Sequence, residues 1–377
     1  MIIAVNTRLL QKDKLEGIGW FACETLSRIT RNHPEHQFLF LFDRPYADDF
    51  VFSDNVTPIV VSPPARHPVL WYAWFEWMIP HVLKKYGADL FLSPDGYLSL
   101  STKVKQLAVI HDINFAHRPQ DLPWLMAKYY NFFFPKFARR ACRIATVSNY
   151  SKVDISQTYG VSSDAIDVVF NGANEIYNPT SGKEKELTRQ KYTGGKPYFL
   201  YVGSLHPRKN IEGLLRGYDA FRKAGNPDIK LVIVGGELFK THQIRKTLER
   251  MRFKKEVIFT GRLSVEDLQQ VLGAALALTF VPYFEGFGIP VLEAMRAGVP
   301  VICSNTSALP EVGGEAVLYI DPYDDKQIAA AMHRLAGDED LRTDLIDKGL
   351  NRQRHFSWDQ TADLLWKSVQ RCLHAEE

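Results

Sequence analysis

Short apolar runs rich in β-branched and aromatic residues alternate along this chain with longer stretches of helical periodicity. In the first half the runs are "IIAVNTRLL", "QFLFLF", "PIVV", "DLFLS", "QLAVI", "RIATV" and "IDVVF". In the second half they are "YFLYV", "KLVIV", "VIFTG", "ALTFV", "VPVIC" and "AVLYI". Continuous apolar strands separated by helices predict parallel sheets covered on both faces, an α/β fold. A polar stretch, "NPTSGKEKELTRQKYTGGKP", interrupts the alternation between Asn178 and Lys196 without strong periodicity. It reads as a linker, and the alternation begins afresh after it. The expected organisation is therefore one Rossmann-like domain over 1–180, a second over 196–355, and a final amphipathic helix within 356–377.

In such sheets ligands bind beyond the carboxyl ends of the strands, so the loops that leave the strands are where chemistry is sought. "FEGFGIPVLEAMRAGVPVI", Phe284 to Ile302, follows the apolar run "LALTFVP". Pro290 and Gly298 mark the start and end of a short helix. Glu285 then lies on the loop leaving a strand, and Glu293 about one turn into the helix. Between them a glycine-rich loop feeds a helix N-terminus, whose free N–H groups attract an anion. Two carboxylates beside an anion site suit hydroxyl groups attached to a phosphate, and a sugar nucleotide has both parts.

Three further segments fall at strand ends. "EGIGWFACETL" opens the first helix with Gly17 and Gly19, His111-Asp112 follows "QLAVI", and "VGSLHPRKN" puts Arg208 and Lys209 on the first loop of the second domain. Each has a plain structural reading: solvated loop cations, a packed histidine, glycines of a tight turn, glutamates favoured by a helix dipole. Together they are chemically consistent, with cations and a helix N-terminus for a diphosphate and carboxylates for hydroxyls.

Composition changes this picture little. The chain has 377 residues, 46% hydrophobic and 24% charged, with a formal net charge of +3. That is an ordinary globular composition, too weakly basic for a nucleic-acid binder. Cys23, Cys142, Cys303 and Cys372 are scattered and read as buried thiols of a reducing compartment. "MIIAVNTRLL" looks like a first strand rather than a leader, and no apolar run approaches a bilayer span. The expected location is cytoplasmic.

The segments "FEGFGIPVLEAM", "YVGSLHPRKNI", "IHDINF", "ATVSNYSK" and "FNGANEIYNP" resemble a family 4 glycosyltransferase of the GT-B fold over nearly the whole chain. The resemblance implies two facing Rossmann-like domains with a deep cleft and a last helix that crosses back to the N-terminal domain. It implies that Glu285, Phe287 and Gly288 hold the donor sugar, that Ile289 belongs to the donor-binding site, and that Glu293 binds the nucleotide ribose. Arg208 and Lys209 would bind the diphosphate, His111 would face the donor sugar, and Gly17 and Gly19 would lie near phosphates and acceptor. The implied partners are a GDP- or UDP-sugar donor and a glycan or lipid-linked acceptor, with retention of configuration. Many relatives begin the phosphate loop "VGRL" where this chain has Ser204, so Arg208 must do that arginine's work. The variant "VGSLHPRKN" is similar to mannosyl- or rhamnosyl-type transferases of bacterial polysaccharide assembly.

Other readings compete. "GIGWFA" matches the G-x-G-x-x-A of an NAD(P)-dependent oxidoreductase, with Asp43 as ribose ligand, but "QKDKLEG" stretches the turn that the fingerprint needs tight. A sugar-nucleotide epimerase shares the two-domain fold, and a non-enzymatic binding partner is a third alternative. Metal and cofactor are not expected: "DED" at Asp338–Asp340 lies away from any strand end, "DPYDD" reads as a turn and helix start, and no Cys/His cluster has zinc spacing. Finally, "HPVLWYAWFEWMIPHVLKKYG" and "WLMAKYYNFFFPKFARRA" are unusually aromatic. They read either as helices packed on their sheet or as a face that docks on anionic membrane, with Lys84, Lys85, Arg139 and Arg140 near headgroups.

Overall fold

Each of the thirteen apolar runs forms a strand, and the strand pairings are parallel in a computed structural model that describes residues 1–12, 14–225, 228–236 and 241–374. Two compact units result: Met1–Gly172 with Ser357–Glu377, and Ala173–Phe356.

The first unit holds β1 (Ile2–Asn6), β2 (Gln37–Phe42), β3 (Val56–Val60), β4 (Leu90–Ser93), β5 (Lys105–Val109), β6 (Arg143–Thr146) and β7 (Ile166–Val168), in the order β3-β2-β1-β4-β5-β6-β7. The order reverses between β1 and β4. Strand β1 is shorter than its apolar run because the chain turns at Thr7, whose carbonyl accepts from Leu10 N–H at 2.9 Å. The helix Gly17–Asn32 buries Phe21, Leu26 and Ile29. Against it lies the last helix, Trp358–His374, which belongs to this unit. His33 stacks on Trp366 at 3.9 Å, Arg28 Nε meets Asp359 at 2.5 Å, and Thr361 Oγ1 donates to the Phe170 carbonyl at 2.5 Å.

Both aromatic segments are helical, and their rings divide by face. Trp71, Trp74, Phe75, Phe134 and Phe137 are buried in the core, whereas Tyr72, Trp77, Trp124 and Phe132 are exposed. No helix among the described residues is long and apolar enough to cross a membrane.

The second unit holds β8 (Tyr198–Val202), β9 (Lys230–Val234), β10 (Val257–Gly261), β11 (Ala277–Phe280), β12 (Val301–Ser304) and β13 (Leu318–Ile320), in the order β10-β9-β8-β11-β12-β13. The reversal falls between β8 and β11. The stretch expected to be a linker instead contains a helix, Gly182–Thr193, within this unit. Its sequence lacks a broad apolar stripe, so periodicity does not reveal it. What holds it is a capping box between Ser181 and Glu184, a left-handed Gly194 at its end, and side-chain ties such as Arg189 Nε to the Ala274 carbonyl at 3.0 Å. "DED" is likewise local structure: Asp338 caps the helix Glu339–Arg352 and accepts from Leu341 N–H at 2.8 Å.

Candidate active site

In the Ala173–Phe356 unit the loops leaving β8 and β11 meet at the reversal of strand order, where doubly wound sheets hold ligands. After β8 a short turn, Pro207–Lys209, is capped by His206, whose Nδ1 accepts from Arg208 N–H at 3.2 Å. Asn210 then adopts φ 57° and ties three loops together. Its amide donates to the carbonyls of Val281 (3.0 Å) and Pro322 (2.7 Å), and its oxygen accepts from Gly213 N–H at 3.2 Å. This clamp fixes where Arg208 and Lys209 leave the backbone.

Both cations turn to Glu285. Arg208 Nη1 donates to Glu285 Oε1 at 2.9 Å and to the Phe284 carbonyl at 3.1 Å, and Lys209 Nζ donates to the same Oε1. Lys209 and Glu285 are buried. Lys209 Nζ also lies 5.1 Å from the centre of the Phe280 ring. Among the described residues both cations bond Oε1 of Glu285, and Oε2 takes no hydrogen bond. The loop itself is held from behind, with Glu285 N–H donating to Ser307 Oγ at 3.0 Å.

The helix Ile289–Arg296 starts at Gly288, with no side chain capping its first turn and no acidic residue in it. Gly288 has φ 103°, and a Cβ there would come within 2.5 Å of Leu309 Cδ2. Only glycine lets the loop reach this helix start. Phe287 is buried against Phe356. Glu293 is half-buried on the same helix with no hydrogen-bond partner among the described residues, and burial pushes its carboxyl up to about 8. The sequence therefore brings Arg208, Lys209, Glu285, Phe287, Gly288, Ile289 and Glu293 into one unit, on two loops and one helix.

The first unit carries Gly17, Gly19 and His111. Gly17 starts its helix with open space around the position a Cβ would take, while a Cβ on Gly19 would lie 3.1 Å from the Leu9 carbonyl oxygen. His111, just past β5, sets Nε2 2.8 Å from the Pro94 carbonyl, and its ring meets Phe21 edge-on at 4.8 Å. A carbonyl only accepts, so Nε2 carries the proton and Nδ1 is the acceptor nitrogen. Burial holds the imidazole below the usual histidine range, against the pull of the Pro94 carbonyl and of Asp112.

Sequence reasoning missed the polar cluster at this unit's own reversal point. Asn6 Nδ2 donates to Ser93 Oγ (3.1 Å) and to Asp95 Oδ1 (2.7 Å), and Arg8 Nε donates to Asp95 Oδ2 at 2.7 Å. The Arg8 guanidinium lies 4.1 Å from the centre of the Tyr97 ring. Burial disfavours its charge, but Asp95 and Tyr97 more than compensate, so its pKa is raised. The available signal was Asn6 and Arg8, two polar residues interrupting the first apolar run. The oxidoreductase reading loses its ribose ligand, because Asp43 is buried and taken by Arg44 Nε (2.5 Å) and Ala65 N–H (2.9 Å). Residues 7–16 also separate β1 from the "GIGWFA" helix.

Two doubly wound parallel sheets, one with cations and an uncapped helix start at its reversal point, place the chain among α/β proteins of the kind that hold ligands at such reversals. Two family descriptions match: "Glycosyltransferase Family 4" over residues 16–175 and "Glycosyl transferases group 1" over residues 183–352. The O-antigen chain mannosyltransferase B of Escherichia coli is 31% identical over 278 residues, covering 74% of this chain and 73% of that protein. The O-antigen chain mannosyltransferase RfbU of Salmonella typhimurium is 27% identical, covering 77% and 78%. Among solved structures, a glycosyltransferase from Rickettsia africae aligns at TM-score 0.74 and 16% identity, covering 100% of this chain and 99% of that one. Anabaena HepE, crystallised with UDP and glucose, aligns at TM-score 0.75 and 16% identity, covering 98% and 99%. The chain belongs to the family 4 glycosyltransferases of the GT-B fold, and it is a glycosyltransferase.

Proposed function

We propose that this enzyme moves mannose from a nucleotide-sugar donor, a GDP- or UDP-sugar, to a growing glycan or lipid-linked acceptor, with retention of configuration and without a metal ion. The observation that carries this reading is the convergence of Arg208 and Lys209 on Glu285 at the β8/β11 reversal. The similarity to two O-antigen mannosyltransferases supports mannose and a polysaccharide acceptor.

In this reading Arg208, Lys209 and the N–H groups at Gly288 and Ile289 receive the diphosphate. A nucleoside diphosphate is already a fair leaving group, so stabilising its developing charge matters more than protonating it. The bond from the anomeric carbon to the phosphate oxygen breaks as the acceptor hydroxyl oxygen bonds to that carbon on the same face. The hydroxyl proton passes to the departing phosphate oxygen, which balances the step without a metal or a protein base. Glu285 uses its open Oε2 for a sugar hydroxyl while Oε1 fixes the two cations. Glu293 accepts the ribose hydroxyls, and the backbone of Phe287 borders the sugar. His111, through Nδ1, and the Gly17–Gly19 turn serve the sugar and phosphate contacts that the family resemblance implies.

Thermal-shift measurements with GDP, UDP, ADP and their mannose and glucose conjugates test this reading. One nucleoside diphosphate should stabilise selectively, by about 2.7 kcal/mol at a hundred times its Kd. The matching sugar nucleotide should be consumed with a retained anomeric configuration in the product. Indifference to every nucleotide would overturn the assignment.

A further inference from the structure

Two segments of the first unit present an aromatic and cationic surface to which the proposed function assigns no role. On the helix Trp124–Arg140 the exposed positions Trp124, Leu125, Lys128, Phe132, Lys136 and Arg139 follow helical spacing along one side. On the neighbouring segment Val69, Tyr72, Trp77, His81, Lys84 and Lys85 are exposed. Trp124 is 72% exposed, Trp77 61% and Phe132 56%, well beyond the scatter of single apolar residues on an ordinary surface. Between the segments runs a groove of about 460 Å³ lined by Pro68, Val69, Tyr72, Leu125, Lys128 and Phe132, among others.

Charge decides what this face fits. Across residues 122–140 there is no aspartate or glutamate, and across 66–86 the sole acid is Glu76. Glu76 is buried, accepting from Leu100 N–H at 2.9 Å and from the Ser101 hydroxyl. Arg66, Lys84, Lys85, Lys128, Lys136 and Arg139 are all exposed. The lysines lie beside the rings: Lys136 Nζ is 3.4 Å from the Phe132 ring centre and Lys128 Nζ is 5.4 Å from that of Trp124. Such side chains keep their ammonium groups at headgroup level while the rings enter the acyl boundary. A second copy of the chain is a poor occupant, because a two-fold contact would press these cations against one another.

We propose that this face binds the surface of an anionic phospholipid bilayer, with Trp77, Trp124 and Phe132 inserted and the six cations paired with lipid phosphates. The proposal goes beyond the transfer reaction and stands whichever donor sugar is used.

The test uses the full chain with vesicles of phosphatidylcholine alone or mixed with phosphatidylglycerol, read by co-sedimentation and by quenching of tryptophan fluorescence with brominated lipid. The protein should bind the mixed vesicles, release at high salt, and leave pure phosphatidylcholine largely unbound. Trp124→Phe should remove much of the quenching. The triple variant Trp77→Ser/Trp124→Ser/Phe132→Ser should bind at least ~tenfold more weakly with unchanged circular dichroism. Absence of binding to the anionic vesicles, or binding without quenching in the unmodified protein, overturns the proposal. So does a dimer in solution that the triple variant dissociates, since the face would then cover a second copy.

Discussion

The convergence on Glu285 makes an unusual demand of one substitution. Glu285→Gln keeps the shape and an acceptor oxygen but removes the charge that Arg208 and Lys209 share through Oε1. Losing a charge-assisted hydrogen bond costs about 1.5–3 kcal/mol, and here a buried lysine is left short of its counter-charge. For a unit of this size ~1 kcal/mol moves the melting temperature by ~2–4 °C, so the variant should melt roughly 3–12 °C lower without ligand. In the proposed binding mode a nucleoside diphosphate would restore anionic oxygens to the two cations. The ligand-induced rise in melting temperature should therefore be larger in Glu285→Gln than in the parent, and calorimetric affinity for the nucleotide equal or tighter. Turnover should move the other way. The sugar hydroxyl loses a charged acceptor that matters most at the transition state, and 1.5–3 kcal/mol corresponds to about a 10- to 150-fold loss. Weaker nucleotide binding in the variant would show that Glu285 merely builds the phosphate site. Unchanged turnover would remove it from sugar recognition.

Other expectations concern single residues. Arg208→Ala should lower turnover by roughly 10²–10³, the scale for losing one preorganised donor, in a steady-state assay at saturating donor. Gly17→Ala meets open space, so its melting temperature should be unchanged or slightly raised, while turnover falls because the constraint on that glycine comes from the ligand. Glu293, whose carboxyl is pushed by burial up to about 8 from an ordinary 4.5, holds a proton in the folded state that the unfolded chain has lost. Stability should accordingly fall as pH rises from about 4.5 to 8 and level off above, by on the order of 2–4 kcal/mol after allowing for its partial contact with water. Denaturant midpoints across that range should flatten in Glu293→Gln. Above pH 8, where the Glu293 carboxyl is ionised, the same variant should bind nucleoside diphosphate and whole donor about 10- to 150-fold more weakly.

Strands were legible in the sequence because parallel strands buried on both faces are written as continuous apolar runs. The helix Gly182–Thr193 was not, since it is anchored by a capping box and a few polar ties rather than by a stripe. The loop residues of the second unit could be found because they combine glycine, proline and charge at strand ends. Their mutual geometry could not: nothing in the sequence says that Arg208 and Lys209, 77 and 76 residues before Glu285, meet on one carboxylate oxygen. That contact follows from the placement of β11 next to β8, a long-range pairing that periodicity does not encode. Asn210 and Ser307 escaped notice for the same reason, as their roles consist of contacts to distant loops.

The two reversal points show how one topology serves different ends. Both lie between a first strand and the strand that starts the second winding, β1/β4 and β8/β11, and both gather a cation against a carboxylate. At β8/β11 the cations arise from a loop clamped by Asn210, the carboxylate keeps one oxygen open, and a bare helix start follows at Gly288. In the proposed function that arrangement would hold an anion, with both cations kept on Oε1 of Glu285. At β1/β4, Arg8 bonds Asp95 through Nε and is enclosed by aromatic rings of Trp71, Phe75 and Tyr97, while Asn6 occupies the other carboxylate oxygen. A pair so enclosed has little to offer a charged ligand, because separating it would strand a buried charge at a cost of ~3–5 kcal/mol. It can instead fix the loops that leave β1 and β4, including the Pro94 carbonyl that sets the tautomer of His111. The difference between a binding crevice and a structural clasp thus lies in the free lone pairs and N–H groups left at the strand ends, not in the sheet that carries them.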